Sequence, residues 1–258
     1  MDIVDANGVL VRHYSSADHA SVDDAKKSSI ALEWVEHPVT LATGAGMHRF
    51  IWPLRYRGVQ TDKDIPAAYI DGVWAPPGKY RVVLTVADHK LEQPLTILAD
   101  PRVDVPAQAY AQQFALATRI DAQRARMAAA SMQIESTLSA LGKARPEASA
   151  TLNRDIDAVT AHIHDLSGMR AAANPNNAWA FPPRDTKNFA FVSGQLDNQM
   201  SAVDGADAAP SPDAQRGFEA LSPLVDAVLK AWDQLKAGEL AGLNAKLKAA
   251  GKAQIKVD

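Results

Sequence analysis

The chain has 258 residues, 47% hydrophobic, 22% charged and 6% aromatic, enough for one large core or two ordinary ones and too apolar for a disordered state. Its formal net charge is −3, from 27 Lys and Arg against 30 Asp and Glu, so no basic face tracks phosphate and nucleic acid is not an expected partner. Cysteine is absent, which excludes disulfides, thiolate nucleophiles, iron–sulfur clusters and cysteine-type zinc sites, and no apolar run reaches the ~20 residues of a membrane span.

Met1-Asp2-Ile3-Val4-Asp5 lacks a basic start followed by an apolar stretch, so no signal peptide is expected. Up to about Val103 the pattern is one of short β-type runs between turn residues. Val9-Leu10-Val11 follows Asn7-Gly8, Ile30 to Val35 contains Trp34, Phe50-Ile51-Trp52 follows Gly44-Ala45-Gly46, and Tyr80 to Val86 follows Pro76-Pro77-Gly78. In Tyr80 to Val86 the even positions are apolar, which predicts one buried and one wet face. Leu91 to Leu98 pairs with that run through the turn Ala87-Asp88-His89-Lys90, giving a hairpin. Several short strands at such spacing predict an immunoglobulin-like (fibronectin III-like) antiparallel β-sandwich over residues 1–103.

Beyond Asp100-Pro101-Arg102 the period lengthens to about 3.5. Ile120, Met127, Ile134 and Leu141 recur every seven residues, with Ala117 and Leu138 between, predicting one helix from Pro106 to Leu141, roughly 54 Å long, that Gly142 ends. Pro146 fits the first turn of a second helix, whose stripe is Leu152, Ile156, Val159, Ile163, Leu166 and Met169. A third carries Phe189, Val192, Leu196 and Met200 and stops near Gly205; a fourth carries Leu221, Val225, Val228, Trp232 and Leu235. Four such stripes predict an antiparallel four-helix bundle over residues 104–258, with a short amphipathic helix from Gly238 to Ala250 and a last strand or frayed tail at Gln254 to Val257. The fold class is therefore α+β in two domains, sandwich then bundle.

Asp5 to Arg12, Gly46 to Tyr56 and Ala75 to Leu84 together resemble a small β-sandwich such as the immunoglobulin-like domain of the flagellar hook-capping protein. With Gln93-Pro94-Leu95, Asp100-Pro101-Arg102, Asp207-Ala208-Ala209-Pro210, Trp232 and Leu240 to Gly251 with its Leu243-Asn244, the chain more closely resembles the C-terminal region of bacterial sortilin-like (BNR, Asp-box) β-propeller proteins, often labelled glycosyl hydrolases. The resemblance implies a periplasmic or extracellular protein and a propeller domain or other protein as partner. It also implies that any catalytic centre lies in the propeller, whose Asp-box repeats this chain lacks: Ser211-Pro212-Asp213 begins like one, but Gln215 and Phe218 replace its Gly and Trp. Hydrolase activity is therefore not carried over. The first strand of the sandwich is expected to be missing, leaving a sheet edge open to a homodimer or to a strand from another chain.

Among candidate sites, Trp52 with Arg49 and Arg55 reads either as a sugar-stacking platform or, in preference, as sandwich core. His162 and His164 point to different faces of a helix and could offer at most a two-ligand metal site, so neither metal nor cofactor is expected. Asp23-Asp24 and the pair Asp155 and Asp157 read as solvated rather than as a glycosidase dyad, and no catalytic residue is assigned. The loop from Asn174 to Thr186 sets Trp179 and Phe181 beside Arg184, residue types that anchor interfaces, and these three are the candidate binding residues. The expected role is a non-catalytic accessory or protein-interaction module of a sortilin-like β-propeller protein, which predicts no cleft with converging ionisable groups. The alternatives are a hydrolase acting on glycans at an inter-domain site, and a peptide- or strand-binding β-sandwich.

Overall fold

The computed structural model describes residues 1–18, 40–60, 70–145, 149–168 and 187–257, and within them antiparallel strands precede a series of helices. The residues gather into two compact units, Met1–Asp121 with Val203–Ser211, and Ala122–Ala202 with Pro212–Asp258. Strands give way to helices between Ile97 and Ala107, where the side-chain period changes. The units divide further on, because the helix beginning at Ala107 contributes its first turns to one unit and the rest to the other.

In the first unit the strands are β1 (Asp2–Asp5), β2 (Leu10–His13), β3 (Arg55–Arg57), β4 (Asp71–Trp74), β5 (Gly78–Val86) and β6 (His89–Ile97). Four form a sheet in the order β2-β1-β5-β6, and β3 pairs with β4, all antiparallel. Ile3, Val11, Tyr14, Ala75 and Tyr80 are its buried cluster, with Trp52, Tyr56, Leu95 and Ile97 packed against them. The Tyr14 hydroxyl is buried without a hydrogen-bond partner, and burial pushes its pKa up to about 12. Trp52 meets Tyr80 edge-on at 5.9 Å and donates its indole N–H to the Arg55 carbonyl at 2.9 Å, so it serves as core.

Two sequence expectations change here, and one strand, β1, was not foreseen. Phe50-Ile51-Trp52 forms no strand: Pro53 follows it and Leu54 turns the chain with φ 57°, so the strand begins only at Arg55. β1 lies between β2 and β5, although four residues with two terminal aspartates carry little pattern of their own. On β5 the alternation holds at Tyr80 and fails from there on: Val82 is only half-buried, Val83, expected on the wet face, is 5% exposed, and Leu84 and Val86, beyond the Tyr80–Val83 stretch that β1 pairs with, are exposed. The expected strand from Ile30 to Val35 lies outside the described residues.

The β5–β6 hairpin closes on Val86 opposite His89, so its loop is the two residues Ala87 and Asp88, with Ala87 at φ 49° in a place that ordinarily favours glycine. A two-residue loop closes on a hydrogen-bonded pair, and alternation from there puts Pro94, opposite Arg81, at a position whose nitrogen faces away from β5. Pro94 therefore removes a donor from the outer edge of β6, beside the charges of Lys90 and Glu92, an arrangement that discourages edge-to-edge pairing. Pro94→Val is expected to raise self-association, read as an increase in mass with concentration in sedimentation equilibrium; unchanged sedimentation would remove this role for the proline.

The helices are α1 (Ala107–Ala144), α2 (Ala150–Ser167), α3 (Phe189–Asp204), α4 (Pro212–Leu235) and α5 (Ala241–Ala249), with a π-helical segment, Lys236–Leu240, joining α4 to α5. Met127, Ile134 and Leu141 of α1, Ile156 and Ile163 of α2, Val192 and Leu196 of α3, and Val225, Val228 and Trp232 of α4 are buried on the predicted stripes. Gly142 does not end α1, which runs to Ala144, and Gly238 does not separate α4 from α5, since the wider π turn absorbs it. The α2 N-terminus is capped by Ser149, whose hydroxyl accepts from the Leu152 amide at 3.3 Å; Pro146 lies outside the described residues. The end of the chain forms no strand but is held: the Asn244 amide donates to the Ile255 carbonyl at 2.9 Å and accepts from its N–H at 2.7 Å.

Candidate functional site

The first unit holds a cavity of about 580 Å³, within the range of small-ligand sites. Its walls come from the ends of several elements: Leu54 before β3, Trp74 and Pro76 at the end of β4, Leu98 to Arg102 after β6, Tyr110, Gln113 and Phe114 on the first turns of α1, and Asp204 and Asp207. All belong to Met1–Asp121 or Val203–Ser211, so this unit builds the cavity by itself.

One arginine organises the wall. Arg55 donates through Nη1 to the Gly72 carbonyl at 2.8 Å and to Asp204 Oδ2 at 2.7 Å, while its guanidinium carbon lies 3.7 Å from the centre of the Trp74 ring. The delocalised cation thus lies over the indole while donating to the carboxylate. Gly72 is required by the close pairing of β3 with β4: a Cβ there would come within 2.6 Å of the Arg57 carbonyl oxygen across the ladder. Behind the wall, the buried side-chain amide of Gln113 donates to the carbonyls of Val203 at 2.8 Å and Ala206 at 2.6 Å, fastening the segment that carries Asp204 and Asp207 to α1. Phe114, one turn after Tyr110, stacks against Tyr56 of β3 at 5.2 Å.

The cavity brings three carboxylates to one place, so the expectation of no cleft with converging ionisable groups is not met. Each already has a partner. Asp204 is tied to Arg55, Asp100 is gripped by the Arg102 guanidinium at 2.5 Å, and Asp207 accepts from the Tyr110 hydroxyl at 3.2 Å. The side-chain hydrogen bond from Arg102 holds Asp100 below the usual carboxylate range, opposite to what a general acid needs. Desolvation and the hydrogen bond to Asp207 raise the Tyr110 phenol, keeping it a donor. The exposed lining is mixed: Leu54 is 39%, Trp74 43% and Leu98 81% exposed, beside the exposed Arg102 and Asp207.

The candidate binding residues Trp179, Phe181 and Arg184, with Asp23-Asp24, lie outside the described residues. His162 places Nδ1 within hydrogen-bond distance, 2.7 Å, of Glu239 of the π segment, while Asp155 forms an ion pair with Lys246 at 2.9 Å and Asp157 with Arg145 at 2.8 Å. Among the described residues no group of three or more His, Asp or Glu side chains gathers as a metal site, and no helix is long and apolar enough to cross a membrane. The sequence singled out Arg55 but set it beside Trp52; Trp74 and Asp204, the partners the fold gives it, stand far from it in the chain and were missed.

No protein-family model matches the chain, and no curated protein or solved structure matches it either.

Proposed function

We propose that the chain is a non-catalytic protein-interaction module, and that the cavity of its first unit is the place where a segment of a partner protein binds. The observation that carries the reading is the combination of exposed apolar and aromatic side chains on the cavity wall, Leu54, Trp74 and Leu98, with cavity carboxylates already engaged by internal partners. Such a wall recognises rather than reacts: a hydrolytic dyad needs one carboxyl group free to hold a proton and another free to attack or to activate water. The finer architecture belongs to the same proposal. An immunoglobulin-like sandwich is supported by the buried cluster shared between the four-stranded sheet and the β3–β4 pair, and a four-helix bundle by the buried stripes of the helices. Membership of a sortilin-like propeller protein, with the periplasmic or extracellular setting it implies, is supported by the residues quoted for that resemblance.

The glycan-hydrolase alternative is favoured by one specific observation, that Asp204 and Asp207 both line the cavity. Glycosidase activity lost on Asp207→Asn would establish it. Strand addition at β6, as homodimer or peptide complex, has less support, because Pro94 interrupts the outer edge.

The test is selection from a random-peptide display library on the intact protein, with each selected peptide re-measured on Trp74→Ala. The proposal expects peptides whose binding falls about tenfold or more on that variant. A selection that yields no Trp74-dependent peptide sinks it.

A further inference from the structure

Trp74 is the most accessible aromatic side chain on the cavity wall, at 43% exposed. The Arg55 guanidinium covers one face of its ring at 3.7 Å, so the exposure belongs to the opposite face and the ring edge. Among the described residues the indole N–H has no hydrogen-bond partner. Acceptors around it are in the opposite condition. The Pro76 carbonyl accepts from the Tyr80 hydroxyl at 2.7 Å, and the Val203 and Ala206 carbonyls accept from Gln113 at 2.8 Å and 2.6 Å. Charges are matched in place, Arg55 with Asp204 and Arg102 with Asp100, while Asp207 accepts from the Tyr110 hydroxyl. A bound chain therefore meets a donor and an aromatic surface, and finds these acceptors already engaged.

These features select among the ways in which a protein holds a peptide. The wall takes single residues, Trp74 and Ile97, from β4 and β6, so it presents no strand edge for strand addition. Exposed Arg102 and Asp207 interrupt the apolar surface that an amphipathic helix would need. Both arginines already face carboxylates, which removes the charge complementarity a phosphorylated or acidic segment would require. A proline-rich segment has the matching chemistry: proline brings no backbone N–H, polyproline II leaves its carbonyls free to accept, and the fixed φ limits the conformational entropy lost on binding. We propose that the segment bound at the cavity is proline-rich, with a proline ring against the open side of Trp74 and a peptide carbonyl accepting from the indole N–H. The inference rests on the binding reading above and gives it a ligand chemistry.

The experiment takes the Trp74-dependent peptides and measures their affinity by fluorescence polarisation. They are expected to contain proline. Replacing the prolines one at a time by alanine, which restores an N–H and frees the backbone, is expected to weaken binding to the wild-type protein about fivefold or more at one position at least. Trp74→Phe keeps a ring over which Arg55 can lie and removes the donor, and it is expected to bind the same peptides about fivefold more weakly. Circular dichroism checks the fold of the Trp74 variants, and the proline replacements, made in the peptide, need no variant protein. Trp74-dependent peptides without proline, or whose prolines all tolerate alanine within about twofold, would overturn the proline-rich ligand and leave peptide binding standing. Equal affinity for wild type and a folded Trp74→Phe would overturn the indole N–H as the anchor, and the proposal with it. Absence of any Trp74-dependent peptide would overturn both readings.

Discussion

Trp232→Ala is expected to destabilise the second unit by about 4 kcal/mol, the largest effect of any single substitution proposed for this chain. Trp232 is 1% exposed at the centre of the α4 stripe, between Val228 and Leu235, which are themselves buried. Truncation removes the transfer free energy of the indole and leaves a cavity that the helical backbone cannot close. A polar consequence adds to this. Gln133 Oε1 accepts from the indole N–H at 3.1 Å and from Lys236 Nζ at 3.3 Å, so the substitution leaves it with only the longer of the two bonds. Domains are stable by only about 5–15 kcal/mol, so this loss is a large share of the total. The variant should show a midpoint in thermal unfolding lower by about 15 °C. Trp232→Phe, which keeps most of the volume, should lose well under half as much. Urea unfolding followed by far-ultraviolet circular dichroism measures both; a Trp232→Ala stability within about 1 kcal/mol of the parent would show that this seam is not the core of the unit.

The difference between the two units explains how much of the molecule could be read beforehand. In the helices a residue's burial follows from its position on a local period, so the seven-residue steps of α1 and the four-three steps of α4 foretold Ile134, Leu141, Val225 and Trp232 as buried. Helix ends were less legible. Gly142 read as a stop and Gly238 as the start of a separate helix, yet each stays inside continuous helical structure, because a glycine costs a helix only about 1 kcal/mol and packing of the flanking turns outweighs it. Among the strands, the long β5–β6 hairpin was legible and the short β1, β3 and β4 were not. Arg55–Arg57 is strand because its ladder partners and the Trp74 face hold it, a cause absent from its own composition. The cavity was illegible for the same reason: it exists only once residue 55 meets residue 204, and no local pattern encodes that meeting.

Arg55→Ala is expected to dismantle the cavity wall, at a cost of about 2–3 kcal/mol in stability and with loss of Trp74-dependent peptide binding. The estimate follows from what the side chain leaves behind. Asp204 is 11% exposed and Arg55 23%, so neither charge is freely solvated, and removing the arginine strands a carboxylate in a partly dry site. The Gly72 carbonyl loses its donor at 2.8 Å, and Trp74 loses the cation stacked on its face at 3.7 Å, which is what fixes the indole plane. Arg55→Lys separates charge from geometry. An ammonium can pair with Asp204, but it cannot also lie flat on the indole and reach the Gly72 carbonyl, so lysine should recover stability in part and peptide affinity hardly at all. Asp204→Asn gives the converse arrangement, since the amide oxygen still accepts from the guanidinium, and it should keep both properties closer to the parent. If lysine restored binding fully, the wall would need only a positive charge behind Asp204, and the stacked arginine would lose its role in shaping the recognition surface.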